Sequence, residues 1–461
     1  MKILHSPLIT AVFAVSLVWW IYLGLHTQMQ ISCDAIDYEQ SGRLLNEQGF
    51  VPAYFHDGPR REPLYPLFVA AAMQLADTTG HPYTRIMAGF GVLVLLLSQI
   101  LLYVILRRLK TPAIISAAIL AYFAFSPAIT NSAFSLYSEI LTYPFVLGIV
   151  LVSVHLWQAI EERNLITAVA RGIFLGFLFA GLTLSKGAFE CIFPIYLFGL
   201  LATLLKKTPA PKPLLPALLC GLAALIIFYA PILQYKQLNL KYNGVASITN
   251  RWPWMVYGSS VRRTEASALT HLPSALAYTP GEGLCTSVFG PQECDLWSFT
   301  QTDTIGMQKL AQLKDQGLAP QAINSTLTGL SAQKVLQNPL QYGLFSVLEA
   351  LKLVFWESTQ IGFVSYPAWL SNIYNNKLFN NLLRLSTAVM TMLAIVLIWR
   401  RRLYRCPIIL SCSMLMFVFM FCMSFVSILT RYALPIVPLY LICIACAANS
   451  VYTKRHDQTT V

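Results

Sequence analysis

Residues 142–207 read TYPFVLGIVLVSVHLWQAIEERNLITAVARGIFLGFLFAGLTLSKGAFECIFPIYLFGLLATLLKK. With the residues just before them they form three apolar runs, over 139–158, 171–186 and 187–205, each of a length that crosses a hydrocarbon core of about 30 Å. The charges between the runs fall on two sides. Glu161, Glu162, Arg163 and Arg171 lie at one end, and Lys206 and Lys207 close the third run at that same end, whereas Lys186 and Glu190 lie at the other. A chain patterned in this way passes back and forth through a membrane. The reading extends outward in both directions. Met1 to His26 is an apolar run with Trp19 and Trp20 and no small-residue cleavage site, so it is expected to be an uncleaved first span. Further runs at 83–106, 112–130, 214–233, 380–399, 406–428 and 433–452 bring the expected total to ten.

Composition agrees. The chain has 461 residues, 56% hydrophobic and 11% charged, against about 25% charged in a soluble domain. Soluble, disordered and fibrous classes are excluded. The net charge of +12 is a topology signal. Lys2, Arg107, Arg108, Lys110, Arg163, Arg171, Lys206, Lys207, Lys212, Arg400 to Arg402, Arg405, Lys454 and Arg455 all fall on one side of a ten-span chain. These fifteen exceed their acidic neighbours Glu161, Glu162 and Asp457 by twelve, and the remaining seventeen basic and seventeen acidic residues cancel. Basic residues in short loops mark the cytoplasmic face, so both termini are expected there. No nucleic-acid partner is needed to explain the charge. The ten cysteines contain no CxxC pair and no zinc spacing.

The organisation follows: a transmembrane core over 1–233 with a first outer loop at 27–82, a large outer loop at 234–379, and C-terminal spans over 380–461. Each loop holds an apolar stretch too short to span, Pro63 to Ala76 and Leu340 to Phe355, expected to be interfacial or re-entrant helices. Cys285 and Cys294, in CTSVFGPQEC, are a candidate disulfide in an oxidising compartment, with two free thiols as the alternative. Thr208 to Pro216 is a proline-rich turn on the cytoplasmic side.

Charges at the outer membrane face are costly unless used. Asp34 follows the first span almost directly, where a carboxylate is placed to take a proton from a hydroxyl. It also precedes the amphipathic run Ile36 to Leu45, where Asp serves equally as a helix cap. Arg60 and Arg61 stand before the apolar stretch of the first loop; arginine forks suit phosphate oxygens, and they also anchor ordinary headgroups. Ser138 and Glu139 open the fourth span. Lys186 interrupts two apolar runs, and pairing with Glu190 four residues on is the plain alternative to a site role. Arg431 lies in the short outer turn TRYALPIVPLY. Acids Asp34, Asp37 and Glu139 and cations Arg60, Arg61, Lys186 and Arg431 thus come from separate outer turns that a helix bundle can bring to one cavity.

The chain resembles the C-type (GT-C) polytopic glycosyltransferases, in the branch of the dolichyl-phosphate-mannose protein mannosyltransferases and the bacterial aminoarabinose transferases. The resemblance is carried by Asp34 with Tyr38, by Arg61-Glu62-Pro63-Leu64-Tyr65-Pro66, by Ser138-Glu139, by Lys186, and by Arg431-Tyr432 with Pro435 and Pro438. It covers roughly 1–235 and 425–452 and leaves 234–379 unmatched. It implies an all-α membrane fold and an inverting transfer of a sugar from a polyprenyl-phosphate donor to an acceptor glycan, lipid or protein outside the membrane. Asp34 would then be the general base. Glu139 would orient the acceptor or a divalent cation, Mg²⁺ or Mn²⁺. Lys186 and Arg431, with Arg60 and Arg61, would hold the donor phosphate, and Asp37, Tyr38 and Tyr65 would line the substrate. The sequence departs from the branch at Ala35, where many relatives have an acid, and at Glu62; Asp37 is an alternative base. A transporter or flippase of lipid-linked sugars is the second class, but charges gathered at one face suit it less than charges at mid-depth. The basic asymmetry points to a bacterial inner membrane.

Overall fold

Backbone polar groups in lipid must be satisfied within their own segment, so apolar runs of this length become helices. The computed structural model describes residues 6–51, 60–207, 213–266, 269–357 and 363–459, and the chain is 84% helical. Residues 208–212, in the proline-rich turn, lie outside the described residues. Among the described residues, eight helices are long and apolar enough to cross a membrane: Pro7–His26, Tyr83–Arg108, Glu139–Glu161, Leu165–Ser185, Phe189–Lys207, Leu214–Asn243, Lys377–Arg400 and Thr430–Thr453. A ninth is formed if Ala113–Phe125 and Pro127–Phe134, bent by 47°, count as one span. Pro407–Met423 is apolar but has 17 residues.

The differences from the sequence reading have local causes. Asn164 caps the Thr167 amide at 3.0 Å, so that helix starts at Leu165 and Arg171 lies inside it rather than in the turn. Leu214–Asn243 continues past residue 233, into what reads as loop, and ends at Gly244 with φ 68°. The run at 406–428 stops being helix at Met423. The 47° bend falls at Ser126-Pro127, where proline has no N–H for the preceding turn. Glu357 fills the buried helix start there, accepting from the Ala128 amide at 3.0 Å, from Ser126 Oγ and from Tyr122 Oη at 2.7 Å.

Glu139–Glu161 and Thr430–Thr453 are the most enclosed spans, with 78% and 72% of their apolar windows buried, against 22% for Pro7–His26. They form the axis of the bundle. The outward residues are apolar, Leu93, Phe198, Leu222 and Phe417 among them, the reverse of a soluble surface. Leu165–Ser185 lies backbone to backbone on Leu214–Asn243: a Cβ at Gly172 or Gly176 would stand 2.4 Å from the carbonyl oxygen of Cys220 or Ala224, the small-residue contact that lets spans approach closely.

Two long loops gather at one end of the bundle. The first carries helices Asp34–Gln48 and Leu64–Thr79, packed on each other. The second is mostly short helices. Trp252–Val261 crosses Phe299–Asp315 at Gly258 and Gly306, where a Cβ would collide with the Thr302 and Trp254 carbonyls. Pro339–Leu351 and the turn Lys352–Val354 cover the second apolar stretch. Cys285 and Cys294 are joined by a disulfide, Cα to Cα 5.8 Å. A two-residue antiparallel ladder, Gln28 opposite Ser365 and Met29 opposite Val364, ties the loops together.

Candidate functional site

The first span ends at His26, and the chain turns sharply at Cys33, whose φ of 51° is uncommon for a residue with a side chain. Asp34 follows as the first residue of its helix. Its side chain makes no capping bond; it turns to arginines from elsewhere, which corrects the cap reading. Asp34 Oδ1 accepts from Arg61 Nη2 at 2.6 Å and Oδ2 from Arg431 Nη2 at 2.7 Å, and Arg251 Nη2 stands 3.9 Å from Oδ1. Arg61 also donates to Asp37 Oδ2 through Nε and Nη2, at 3.0 and 2.8 Å, and lies over the Tyr38 ring at 5.0 Å. Burial alone would raise the Asp34 pKa, but the charges of Arg431, Arg61 and Arg251 outweigh it and hold the carboxyl well below the usual range.

A second pair sits beside the first. Glu139, 3% exposed, accepts from Lys186 Nζ at 2.9 Å. Glu139 opens one span and Lys186 closes another, so each charge has the sign its helix end favours. The plain pairing of Lys186 with Glu190 does not form; Glu190 pairs with Lys236. Glu62 accepts from the Gly187 amide at 2.8 Å and fixes the loop next to Lys186. Tyr38 Oη and Ser138 Oγ, 2.9 Å apart, tie the helix that carries Asp34 to the residue before Glu139.

Asp34, Tyr38, Arg61, Glu62, Glu139, Lys186 and Arg251 line one cavity of about 540 Å³, within the usual range for a ligand site of about 300–1,000 Å³. Much of the remaining lining is apolar, Phe189, Pro194, Met255, Phe419, Met423 and Val426 among it, with Glu190, Ser247 and Thr249 as further polar members. A separate space of about 20 Å³ lies behind Glu139 and Arg431, lined by Asn131, Ser132, Ser135 and Tyr137.

Four of the residues expected in the site stand back from the cavity wall, and one of them, Arg431, borders the smaller space instead. Asp37 is held off by Arg61, Arg60 reaches Asp37 at 3.9 Å and does not line the cavity, and Tyr65 is buried edge-on against Tyr38, 5.0 Å between centroids. Tyr65 therefore supports Tyr38 from beneath.

Two residues of the second loop were missed by sequence reasoning. Arg251 precedes Trp252-Pro253 at a helix start, where the dipole disfavours a cation; that unfavourable placement was the available signal. Asp303 lies on Phe299–Asp315 within the field of Asp34, Arg251 and Arg431. Burial, with a small push from Asp34, raises its pKa to about 6. Nothing in its sequence surroundings marks it.

Among the described residues no three His, Cys, Asp or Glu gather as a metal would require. Asp34 and Glu139 already face arginine and lysine, a charge environment that opposes a divalent cation. These residues do not suit Mg²⁺ or Mn²⁺. What the arrangement offers is a carboxylate acceptor of protons beside cations that can receive an anion, next to apolar side chains. No family model matches the chain. No curated protein matches it either.

Proposed function

We propose that the chain is an inverting membrane glycosyltransferase of the C-type class, moving a sugar from a polyprenyl-phosphate carrier to an acceptor hydroxyl on the extracytoplasmic face of a bacterial inner membrane. In this reading it has ten spans, with Pro407–Met423 and the bent pair each counted as one and both termini cytoplasmic. The observation that carries the reading is the convergence of Asp34, Arg61, Glu139, Lys186 and Arg431, from five separate segments, on or beside one cavity that apolar side chains also line. A lipid phosphate needs that combination: cations for its head and apolar surface for its chain.

Asp34 takes the proton of the acceptor hydroxyl as its oxygen attacks the anomeric carbon. The bond from that carbon to the phosphate oxygen breaks, and polyprenyl phosphate leaves with the electron pair. One displacement inverts the centre. A phosphate is a good leaving group once cations neutralise its charge, so no strong acid is required, unlike a glycosidase releasing an alkoxide. Lys186 and Arg431 hold the phosphate, with Arg251 at the rim. Glu139 orients the acceptor and keeps Lys186 in place.

The same arginines explain how the base is switched on. Tied to Arg61 and Arg431, Asp34 is a weak base. A bound phosphate competes for Arg431 and Arg251. At an effective dielectric of about 20, moving one unit charge off a 4 Å contact is worth roughly 4 kcal/mol, enough to restore an ordinary carboxylate. Donor binding thereby prepares proton abstraction.

A flippase of lipid-linked sugar would also need a cavity lined by both polar and apolar side chains. Sealed proteoliposomes carrying a polyprenyl-phosphoryl sugar separate the two. An enzyme joins the sugar to an acceptor added on the site side and releases polyprenyl phosphate. If the lipid only changes leaflet and no product forms, the glycosyltransferase reading is wrong.

A further inference from the structure

Arg262 and Arg263 are both fully buried in the second long loop, and neither lines the cavity. They sit in a π-helical turn, Arg262–Ala266, that directs two consecutive arginines inward. Two buried guanidiniums need partners, and the partners differ. Arg262 bonds the carbonyls of Trp297 and Ser298, within its own loop, at 3.0 and 3.3 Å, together with Glu349. Arg263 reaches out of the loop. Its Nη1 donates to the Ser424 carbonyl at 2.5 Å and its Nη2 to the Val426 carbonyl at 2.7 Å.

Two neighbours complete the grip. Tyr342 Oη donates to the Phe425 carbonyl at 3.3 Å, and Glu349 Oε2 accepts from the Ile428 amide at 3.0 Å. Four backbone groups between Ser424 and Ile428 are therefore held by side chains of one loop. This is the stretch where the helix from Pro407 has ended at Met423 and the next turn, Thr430–Ile436, has not begun. Without such partners its polar groups would be unsatisfied at the edge of an apolar core. Arg431 follows three residues later and donates to Asp34. Met423, just before the gripped stretch, and Val426, within it, line the cavity.

We propose that Arg263 and Glu349 are positioning residues: from the second loop they fix the backbone at Ser424–Ile428 and so set where Arg431 stands beside Asp34. A buried ionic cluster is a poor source of stability, since apolar side chains of the same shape often serve as well. Here the bonds go to an irregular segment that no helix orders, which is where positional information is needed. The positioning of Arg431 is independent of any ligand; its effect on phosphate affinity rests on the proposed function.

The test is a double-mutant cycle on melting temperature in detergent or nanodiscs, with Asp34→Asn and Arg431→Gln, in the wild type and in Arg263→Met. In the wild type the two substitutions together should lower the melting temperature by less than the sum of their separate effects. In Arg263→Met that difference should fall by at least half, and Arg263→Lys should restore part of it. Tyr342→Phe, which removes one hydroxyl and keeps the ring, should loosen the coupling in the same direction and answers the question if Arg263→Met does not fold. Arg262→Met is the graded comparison, because Arg262 bonds none of the 424–428 backbone and reaches it only through Glu349; it should lower the melting temperature and weaken the coupling by less than Arg263→Met does. Equal coupling in all backgrounds overturns the inference, and so does loss of coupling in Arg262→Met to the same degree. A parallel readout is the affinity for undecaprenyl phosphate, expected to fall about tenfold in Arg263→Met. If the wild type does not bind that lipid, the proposed function fails while the cycle still judges the positioning.

Discussion

Asp34 and Glu349 each face three cations. Asp34 meets Arg61, Arg431 and, at longer range, Arg251; Glu349 meets Arg262 and Lys352 directly and Arg263 through its field. Burial pushes both carboxyls up and the cations pull both down, Glu349 to about 2. The surroundings separate them. The Asp34 side chain is 22% exposed and lines a cavity, whereas that of Glu349 is 4% exposed and its second oxygen takes a backbone amide. A carboxylate whose cations open on a cavity can exchange them for a ligand. One whose cations are sealed and bonded to main chain fixes geometry. Charge clustering by itself does not tell a site from a strut; what the cations touch next does.

The contrast breaks most sharply at Asp34. Asp34→Asn should reduce sugar transfer per folded molecule by about 10²–10⁴-fold, the range of general-base catalysis, and initial rates in proteoliposomes read it. Glu349→Gln should act on stability. It leaves Arg262 and Lys352 buried without their anion, at a cost of about 3–5 kcal/mol, read as a lowered denaturation midpoint. If Glu349→Gln keeps the midpoint, the sealed cluster is not a strut. Lys186→Met should weaken polyprenyl-phosphate binding by roughly 10–100-fold, from a lost charge-assisted bond of about 1.5–3 kcal/mol, read by titration.

The smallest effect belongs to Asp303, whose folded pKa of about 6 lies above its ordinary 3.8. A raised carboxyl pKa means that the folded form binds the proton more tightly, so Asp303 takes stability away as pH rises from about 4 through 6. Asp303→Asn should therefore melt at the wild-type temperature at pH 4 and slightly above it at pH 8. Equal melting at both pH values would show that burial does not raise the Asp303 carboxyl as described.

Apolar runs and their flanking charges made the helices legible, because a membrane span announces itself by length alone. Asp34, Glu139, Lys186 and Arg431 were legible for a related reason: each is a charge at the end of an apolar run, where only use or pairing justifies it. Their pairings were not legible. Arg431 meets Asp34 across almost the whole chain, and Lys186 chose Glu139 over its neighbour Glu190. The second loop hid most. Its helices are short, their faces are set by contacts such as Gly258 on Thr302, and Arg262 and Arg263 look in sequence like any solvated basic pair.

The most direct measurement is the affinity of Asp34→Asn for undecaprenyl phosphate beside its transfer activity. If the arginines that restrain Asp34 are those that receive the phosphate, removing the carboxylate removes their competitor, and the variant should bind the lipid at least as tightly as the wild type while transfer collapses. Binding lost together with transfer would mean that Asp34 organises the cations rather than acting as the base they release.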